Sequence, residues 1–422
     1  MIDANLIVEV SSRPHVVNPL TVAINSSGKG RLILDLRHVN KQVVYSRVKF
    51  EDWKIASQYL SLDSYGFVFD VKAGYHHLNI FPNHQKYLGF SWQIDNSDKY
   101  FVFTVLPFGL CSAGYIFTKV VRPLVAHWRR DGIKITVYID DGLGLAENKQ
   151  ICFEHALRVK NDLIASGFVP NKDKCNWSPE QILTWLGFVW DLKECRLKIP
   201  TCKVKDFIDL IELILSSVNK VQIRLLAKFS GKIISFSPGI GNVTQIMTRC
   251  IFSLINLRED WDQYVNLNLY PDAIKEILFW KRNIGSFKSV PLLRVSSDFT
   301  VFTDASDIAA AGFIQNVDVV MHKHWLANES KKSSTWREVK AIGLCIESFG
   351  QKLRDSTVTF FTDNQNAVSI IEKGSKVPEL QSMALSVFNT CSLHNISLYV
   401  QWIPREENEK ADALSRIIDI DD

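Results

Sequence analysis

The sequence predicts a mixed α+β / α/β chain of more than one domain, and three features of its patterning carry that expectation. Up to about residue 190, short β-branched and aromatic runs alternate with stretches of helical spacing. Between Thr201 and Lys288 the spacing is helical throughout, and from Phe299 strand and turn texture returns. At about 150 residues per domain, a chain of 422 residues has room for roughly two to three domains. The patterning sets them at 1–190, 191–295 and 296–422.

Composition narrows the class. Hydrophobic content of 46% and charged content of 22% are those of a soluble globular protein. No apolar run approaches the roughly 18 residues that would span a bilayer, and the first ten residues carry Asp3 and Glu9 where a secretory leader would be basic. A membrane partner and secretion are therefore not expected, and the compartment expected is cytoplasm and/or nucleus. Eight cysteines without a C-x-x-C pair read as free thiols in a reducing compartment. A net charge of +4 leans only weakly towards polyanions. The local clusters Lys29, Arg31, Arg37, Lys41 and Lys119, Arg122, Arg129, Arg130, Lys134 fit either a polyanion contact or a solvated face.

The most informative stretch is V-Y-I-D-D-G-L-G-L at 137–145. Apolar runs on either side of Asp140-Asp141-Gly142 predict a β-hairpin with Asp140 and Asp141 at its turn. Two carboxylates so close repel unless a cation lies between them and a third acid, and Mg²⁺, which demands hard oxygen ligands, suits that place. Alone, Asp-Asp-Gly reads equally well as a solvated turn.

Upstream, Leu20–Ile24 and Arg31–Leu36 predict two strands around a basic, glycine-containing loop, and 53–60 a short helix. The strand F-V-F-D-V ends at Asp70, five residues before Tyr75. Three acids, Asp70, Asp140 and Asp141, around two metal ions can clamp the attacking and leaving oxygens of an in-line displacement at phosphorus. Tyr75 then lies beside the sugar of an incoming nucleotide, where a bulky ring clashes with a 2′-hydroxyl. The bland readings are a strand-end cap for Asp70, a core ring for Tyr75 and a surface pair for His76 and His77. Downstream, L-P-F-G-L at 106–110 opens a turn, 113–128 and 152–166 have helical spacing, and Lys174 stands in a loop where it can neutralise phosphate charge. W-L-G-F-V-W at 185–190 reads as one strand, its glycine letting a backbone pass close by.

Asp70 with Tyr75, L-P-F-G-L, Y-I-D-D at 138–141, N-K-D-K-C at 171–175 and W-L-G-F at 185–188 occur in the order seen in reverse transcriptases. The resemblance covers most of the first 190 residues. H-Q-K-Y-L-G-F-S-W at 84–92, F-T-K-V-V-R-P-L at 117–124 and W-L-G-F are more similar to DIRS-type retroelements than to gypsy-type ones. It implies a right hand of fingers, palm and thumb, followed by a helical connection. It also implies Asp70, Asp140 and Asp141 as catalytic metal ligands, and Arg31, Lys29, Tyr75, Phe108 and Lys174 as nucleotide contacts. Gly109, Tyr138, Trp185, Leu186 and Gly187 would be primer–template contacts. Gly142, Gly144 and Gly114 depart from the family pattern, at a cost of roughly 0.5–1 kcal/mol each in regular structure.

The helical stretches 204–215 and 221–236, the latter broken by Ser237-Pro238-Gly239, read as scaffold. Beyond Phe299, V-F-T-D-A-S ends a strand at Asp304, a helix over 336–348 bears Glu338, T-F-F-T-D ends at Asp363, and A-D-A-L-S-R carries Asp412. Each alone reads as a cap or surface acid. In that order they resemble ribonuclease H, over about the last 120 residues, which implies a mixed-sheet domain and a second set of catalytic metal ligands, Asp304, Glu338, Asp363 and Asp412. The joint expectation is RNA- and DNA-templated DNA synthesis with hybrid cleavage. It uses two Mg²⁺ per site, with Mn²⁺ a substitute, and takes RNA template, DNA primer, RNA:DNA hybrid and dNTPs as partners. Integration would need other element-encoded proteins. The alternatives are a domesticated, non-catalytic hybrid-binding descendant, against which all seven acids argue, and an RNA-dependent RNA polymerase, against which Tyr75 and the nuclease argue.

Overall fold

The computed structural model describes residues 1–24, 28, 30–94, 97–287, 289–293 and 296–418. The chain divides into two compact units, Met1–Arg196 and Leu197–Asp422. The first boundary therefore falls six residues beyond the expected 190, and the helical stretch shares a unit with the last domain.

In the first unit, a four-stranded antiparallel sheet runs in the order Lys134–Tyr138, Asp141–Ala146, Tyr65–Asp70, Asn176–Glu180. Helices Ala113–Arg130 and Lys149–Ala165 bury Phe117, Val121, Val125, Trp128, Cys152, Ala156, Val159 and Leu163 with Phe67, Phe69 and Ile135 of the sheet. Their apolar residues recur at three and four, which is why each helix presents one face to the sheet. A three-stranded sheet orders Ile7–Val10, Ser97–Phe103 and Gly89–Ile94, and a separate hairpin pairs Leu20–Ile24 with Gly30–Leu34. Most of that hairpin's loop, including Lys29, lies outside the described residues, as does the side chain of Arg31.

Two departures from family pattern have a packing reason. Gly142 lies opposite Phe69 and Gly144 opposite Phe67 in the sheet register. A Cβ on either glycine would come within 2.2 Å of the facing ring. The rings lie across the glycine backbone and stack on Trp177, at 5.7 Å for Phe69 and 6.1 Å for Phe67. A ring over a glycine restores the packing that the missing side chain gives up, so these glycines do not loosen the hairpin. Gly142→Ala is expected to destabilise the first unit by roughly 1–3 kcal/mol through overpacking, read as a lower urea midpoint of its transition.

W-L-G-F-V-W is not one strand. It folds back as a hairpin, Ile182–Trp185 against Phe188–Asp191, about the two-residue turn Leu186-Gly187. Both turn residues have positive φ, +48° and +74°, as a tight turn matching the strand twist requires.

In the second unit, helices Thr201–Ser216, Ile223–Ser235, Arg249–Asn256 and Pro271–Asn283 enclose Phe207, Ile211, Phe229, Ile251, Ile277 and Trp280. The second of these helices ends at Ser235, and Ser237-Pro238-Gly239 begins a further short helix, Ser237–Ile240. The buried Glu276 accepts the backbone N–H groups of Cys250 and Ile251 at 2.9 and 3.0 Å, which would otherwise be orphaned at a helix start. Burial pushes its carboxyl from 4.5 up to about 7 despite those bonds. Between these values the folded state holds a proton that the unfolded chain releases. The resulting stabilisation is complete below about pH 4.5, falls as pH rises, and is lost through pH 7, a swing of about 3 kcal/mol. Glu276→Gln is expected to remove that part of the slope, measured as the difference from wild type in denaturation free energy at pH 5 and pH 8.

A five-stranded sheet completes the unit, in the order Val320–His324, Ala309–Ile314, Phe299–Ala305, Thr357–Thr362, Ser397–Trp402. The first three strands are antiparallel and the last two join in parallel. Helix Ser334–Phe349, capped by Ser333, packs on it. The small residues Ala309 to Gly312 allow its close approach: a Cβ on Gly312 would come within 2.3 Å of Cys345 Sγ.

Candidate active sites

The first site grows from strand register. Asp70, last residue of its strand, pairs with Asp141, first residue of the return strand. The hairpin turn is Ile139-Asp140, not Asp140-Asp141, because Tyr138 already pairs with Asp141. Ile139 adopts a φ of +56°, and Val71 N–H donates to the Asp140 carbonyl at 2.8 Å, fixing the turn against the neighbouring strand end. Asp70 and Asp141 thus come from the ends of two paired strands, and Asp140 from the turn that leads into the second of them from Lys134–Tyr138.

Their charges are handled unequally. Asp70 accepts Asn171 Nδ2 at 2.9 Å and Lys174 Nζ at 2.8 Å. Asp141 is pushed up from 3.8 to about 7, first by burial and then by Asp70 and Asp140, while Lys174 and the Leu186 backbone oppose the rise. Among the described residues, these three do not form a group whose ligand atoms all lie within 4.8 Å of one another. Asp70 spends both oxygens on Asn171 and Lys174. A half-buried carboxylate set strained by mutual repulsion is a donor set that fits a divalent cation.

A cleft of about 600 Å³ brings Asp70, Asp140, Lys174 and Asn171 together with Tyr75, His76 and Phe108. Tyr75, half-buried, meets Phe108 at 5.3 Å and the edge of Phe117 at 5.6 Å. The site of a Gly114 Cβ is 3.5 Å from the Tyr75 hydroxyl. Gly109, at φ +105°, backs onto the Leu34 carbonyl, and its own carbonyl accepts Asn40 Nδ2 at 2.9 Å. Tyr138 packs on Phe50 at 5.5 Å. Trp185 departs from its expected place on the primer–template surface: at 1% exposure it is core, its ring tilted against that of Trp190 at 5.6 Å. In the adjoining turn it is the Leu186 backbone that hydrogen-bonds Asp141. Asn171 is a partner of Asp70 that the sequence expectation omits, and its place three residues before Lys174 in one loop is the signal that points to it.

The second site gathers Asp304, Glu338 and Asp363, whose ligand atoms all lie within 4.8 Å of one another. Asp304 stands one residue before the end of its strand and Asp363 one residue past the end of the adjacent one, and the buried Glu338 reaches them from its helix. Burial, then Asp304 and Asp363, push Glu338 up from 4.5 to about 9, with Thr362 Oγ1 donating to it at 3.3 Å. Asp304 is raised chiefly by burial, and Ser415 Oγ donates to it at 2.7 Å. The donor set fits a divalent cation. Asp412 stands apart from that group: Arg416 and Arg405 bond its carboxylate and hold it at about 2. The sequence expectation omits both arginines, although Arg416 stands four residues after Asp412, the spacing of an ion pair along a helix.

No helix among the described residues is long and apolar enough to cross a membrane. Residues 24–190 match the family described as Reverse transcriptase (RNA-dependent DNA polymerase). The Enzymatic polyprotein of Figwort mosaic virus (strain DxS) is 22% identical over 437 residues, covering 99% of this chain and 60% of its own length. The retrovirus-related Pol polyprotein from transposon 412 of Drosophila melanogaster is 21% identical over 401 residues, covering 92% of this chain and 30% of its own. The chain therefore spans less than two thirds of these relatives. The foamy viral protease-reverse transcriptase solved with dsDNA is similar in fold over 95% of this chain and 80% of its own, with a TM-score of 0.59 at 17% identity. With RNA/DNA hybrid, its structure gives a TM-score of 0.57 at 16% identity over 93% of this chain and 51% of its own. The fold is thus that of a polymerase followed by a further domain, and residues 24–190 form a reverse transcriptase domain of the kind found in retroelement and retroviral Pol-like proteins.

Proposed function

We propose that this chain synthesises DNA on RNA and DNA templates at Asp70, Asp140 and Asp141, and cleaves RNA in RNA:DNA hybrids at Asp304, Glu338, Asp363 and Asp412. The observation that carries the reading is the pairing of Asp70 with Asp141 beside the Ile139-Asp140 turn, in one cleft with Tyr75, Phe108 and Lys174. Each acid set would hold Mg²⁺, or Mn²⁺ in its place, which supplies charge to stabilise the oxygens of phosphoryl transfer. The chain's own residues do the rest. Lys174, poised on Asp70, can turn to triphosphate oxygens, with Arg31 and Lys29 as further nucleotide contacts. Tyr75 closes the cleft against a 2′-hydroxyl while Phe108 walls the sugar. Leu186-Gly187, Gly109 and Tyr138 are proposed to bear on primer and template, which brings the primer terminus against Asp141.

In this reading, 1–190 are fingers and palm, 191–295 thumb and connection, and 296–422 the nuclease, whose substrate is the polymerase's own product hybrid. Tethering two such sites raises the effective concentration of the hybrid at the second. The motifs at 84–92 and 117–124 support a DIRS-type element as the source, and integration falls to other proteins of the element, in cytoplasm or nucleus. The test is extension of a DNA primer on an RNA template by the full chain. Product formed from dNTPs, dependent on Mg²⁺ and lost in chelator, is expected, with ribonucleotides poorly used. No extension with Mg²⁺ or Mn²⁺ on either template would overturn the reading.

A further inference from the structure

Asp412 is held in a way its three neighbours are not. Its Oδ1 accepts Arg405 Nη2 at 2.6 Å and Arg416 Nη2 at 2.9 Å, and its Oδ2 accepts Arg416 Nε at 2.9 Å. Both arginines are more exposed than the acid, at 61% and 52% against 22%. Their charge also reaches the cluster, Arg405 acting on Asp304 and Asp363, and Arg416 on Asp304. The backbone under Asp412 is meanwhile pinned. Asn408 Nδ2 donates to the Thr303 carbonyl at 3.0 Å, and Ser415 Oγ, with one proton to donate, lies within hydrogen-bond distance of Asp304 Oδ2 and of the Asp412 carbonyl, at 2.7 and 2.9 Å. Only the carboxylate of Asp412 is free to change partners.

Exposed guanidinium forks bind phosphate oxygens with the same two-pronged geometry as carboxylates. We propose that Arg405 and Arg416 bind a backbone phosphate of the nucleic-acid strand at the nuclease cluster, and that Asp412 is the anion they hold until that strand arrives. Transfer of the forks to phosphate releases Asp412 towards Asp304, Glu338 and Asp363. Strand binding and completion of the acid set become one event, so strand and divalent cation bind cooperatively, each tightening the other by the same factor. This rests on the nuclease reading above and adds to it two positioning residues that also bind the substrate.

The test uses the full chain with Asp140→Asn and Asp141→Asn, so that bound Mn²⁺ reports mainly the nuclease cluster. Free Mn²⁺ is read by electron paramagnetic resonance, with and without an uncleavable hybrid of 2′-O-methyl RNA and DNA, and Mn²⁺ held by hybrid alone is subtracted. The hybrid is expected to tighten Mn²⁺ binding about tenfold. Adding Arg405→Gln and Arg416→Gln should tighten Mn²⁺ binding without hybrid, shrink the hybrid effect to about twofold or less, and lower the salt slope of hybrid binding by about one. Arg405→Lys with Arg416→Lys keeps the charge, loses the fork and should fall between; it carries the test if the glutamine pair does not fold. A hybrid effect or salt slope unchanged in these variants would overturn the proposal. Cleavage of an ordinary hybrid by the wild-type chain is scored separately. Cleavage without coupling to Mn²⁺ removes the latch alone, whereas coupling without cleavage supports the latch and removes the nuclease reading.

Discussion

Asp140→Asn is expected to reduce primer extension on an RNA template by about a thousandfold or more, a loss of about 4 kcal/mol in transition-state stabilisation, while hybrid cleavage stays at the wild-type rate. The substitution preserves shape and removes charge. The turn itself is held by the Asp140 carbonyl, which accepts Val71 N–H and is untouched by the change. A fold defect is therefore not the expected cause of lost synthesis. The measurement is single-nucleotide extension beside hybrid cleavage on the same preparation. Extension within tenfold of wild type would take Asp140 out of the chemistry, and loss of both activities would indicate a structural role instead.

Asp363→Asn is expected to produce the reverse pattern, hybrid cleavage down by about a thousandfold or more with extension intact. Asp363 shares a 4.8 Å cluster with Asp304 and Glu338. Its backbone carbonyl accepts Trp402 Nε1 at 2.9 Å, a bond that the substitution leaves in place. Burial and the neighbouring Asp412 push the Asp363 carboxyl up, so replacing it with a neutral amide relieves an unfavourable charge, and the melting temperature of the variant in chelator should equal or exceed that of wild type. A cleavage loss accompanied by a lower melting temperature would point to misfolding rather than to lost ligation.

The two acid sets were legible to different depths in the sequence. Apolar runs ending in an acid are a local signal, so the strand ends at Asp70, Asp304 and Asp363 could be read directly. The side-chain partners that distinguish one acid from its neighbours are less accessible. Asn171 and Lys174 reach Asp70 across about a hundred residues of chain, and no spacing rule connects them. W-L-G-F-V-W reads as one strand because a run of aromatic and apolar residues looks alike in a straight strand and in a tight hairpin. Only the positive φ at Leu186 and Gly187 separates the two. Gly142 and Gly144 looked like weak points because a glycine's cost is local, whereas the rings that fill the space come from Phe69 and Phe67 on another strand.

The backbone at Ile139 has a thermodynamic corollary. A β-branched residue in the left-handed region costs roughly 1–2 kcal/mol, so the turn that presents Asp140 is spring-loaded, its tension borne by the sheet beneath. Glycine there would relax it and make the chain hardier to heat, yet leave the acid slack. Robustness and catalytic aim pull against each other at this one residue.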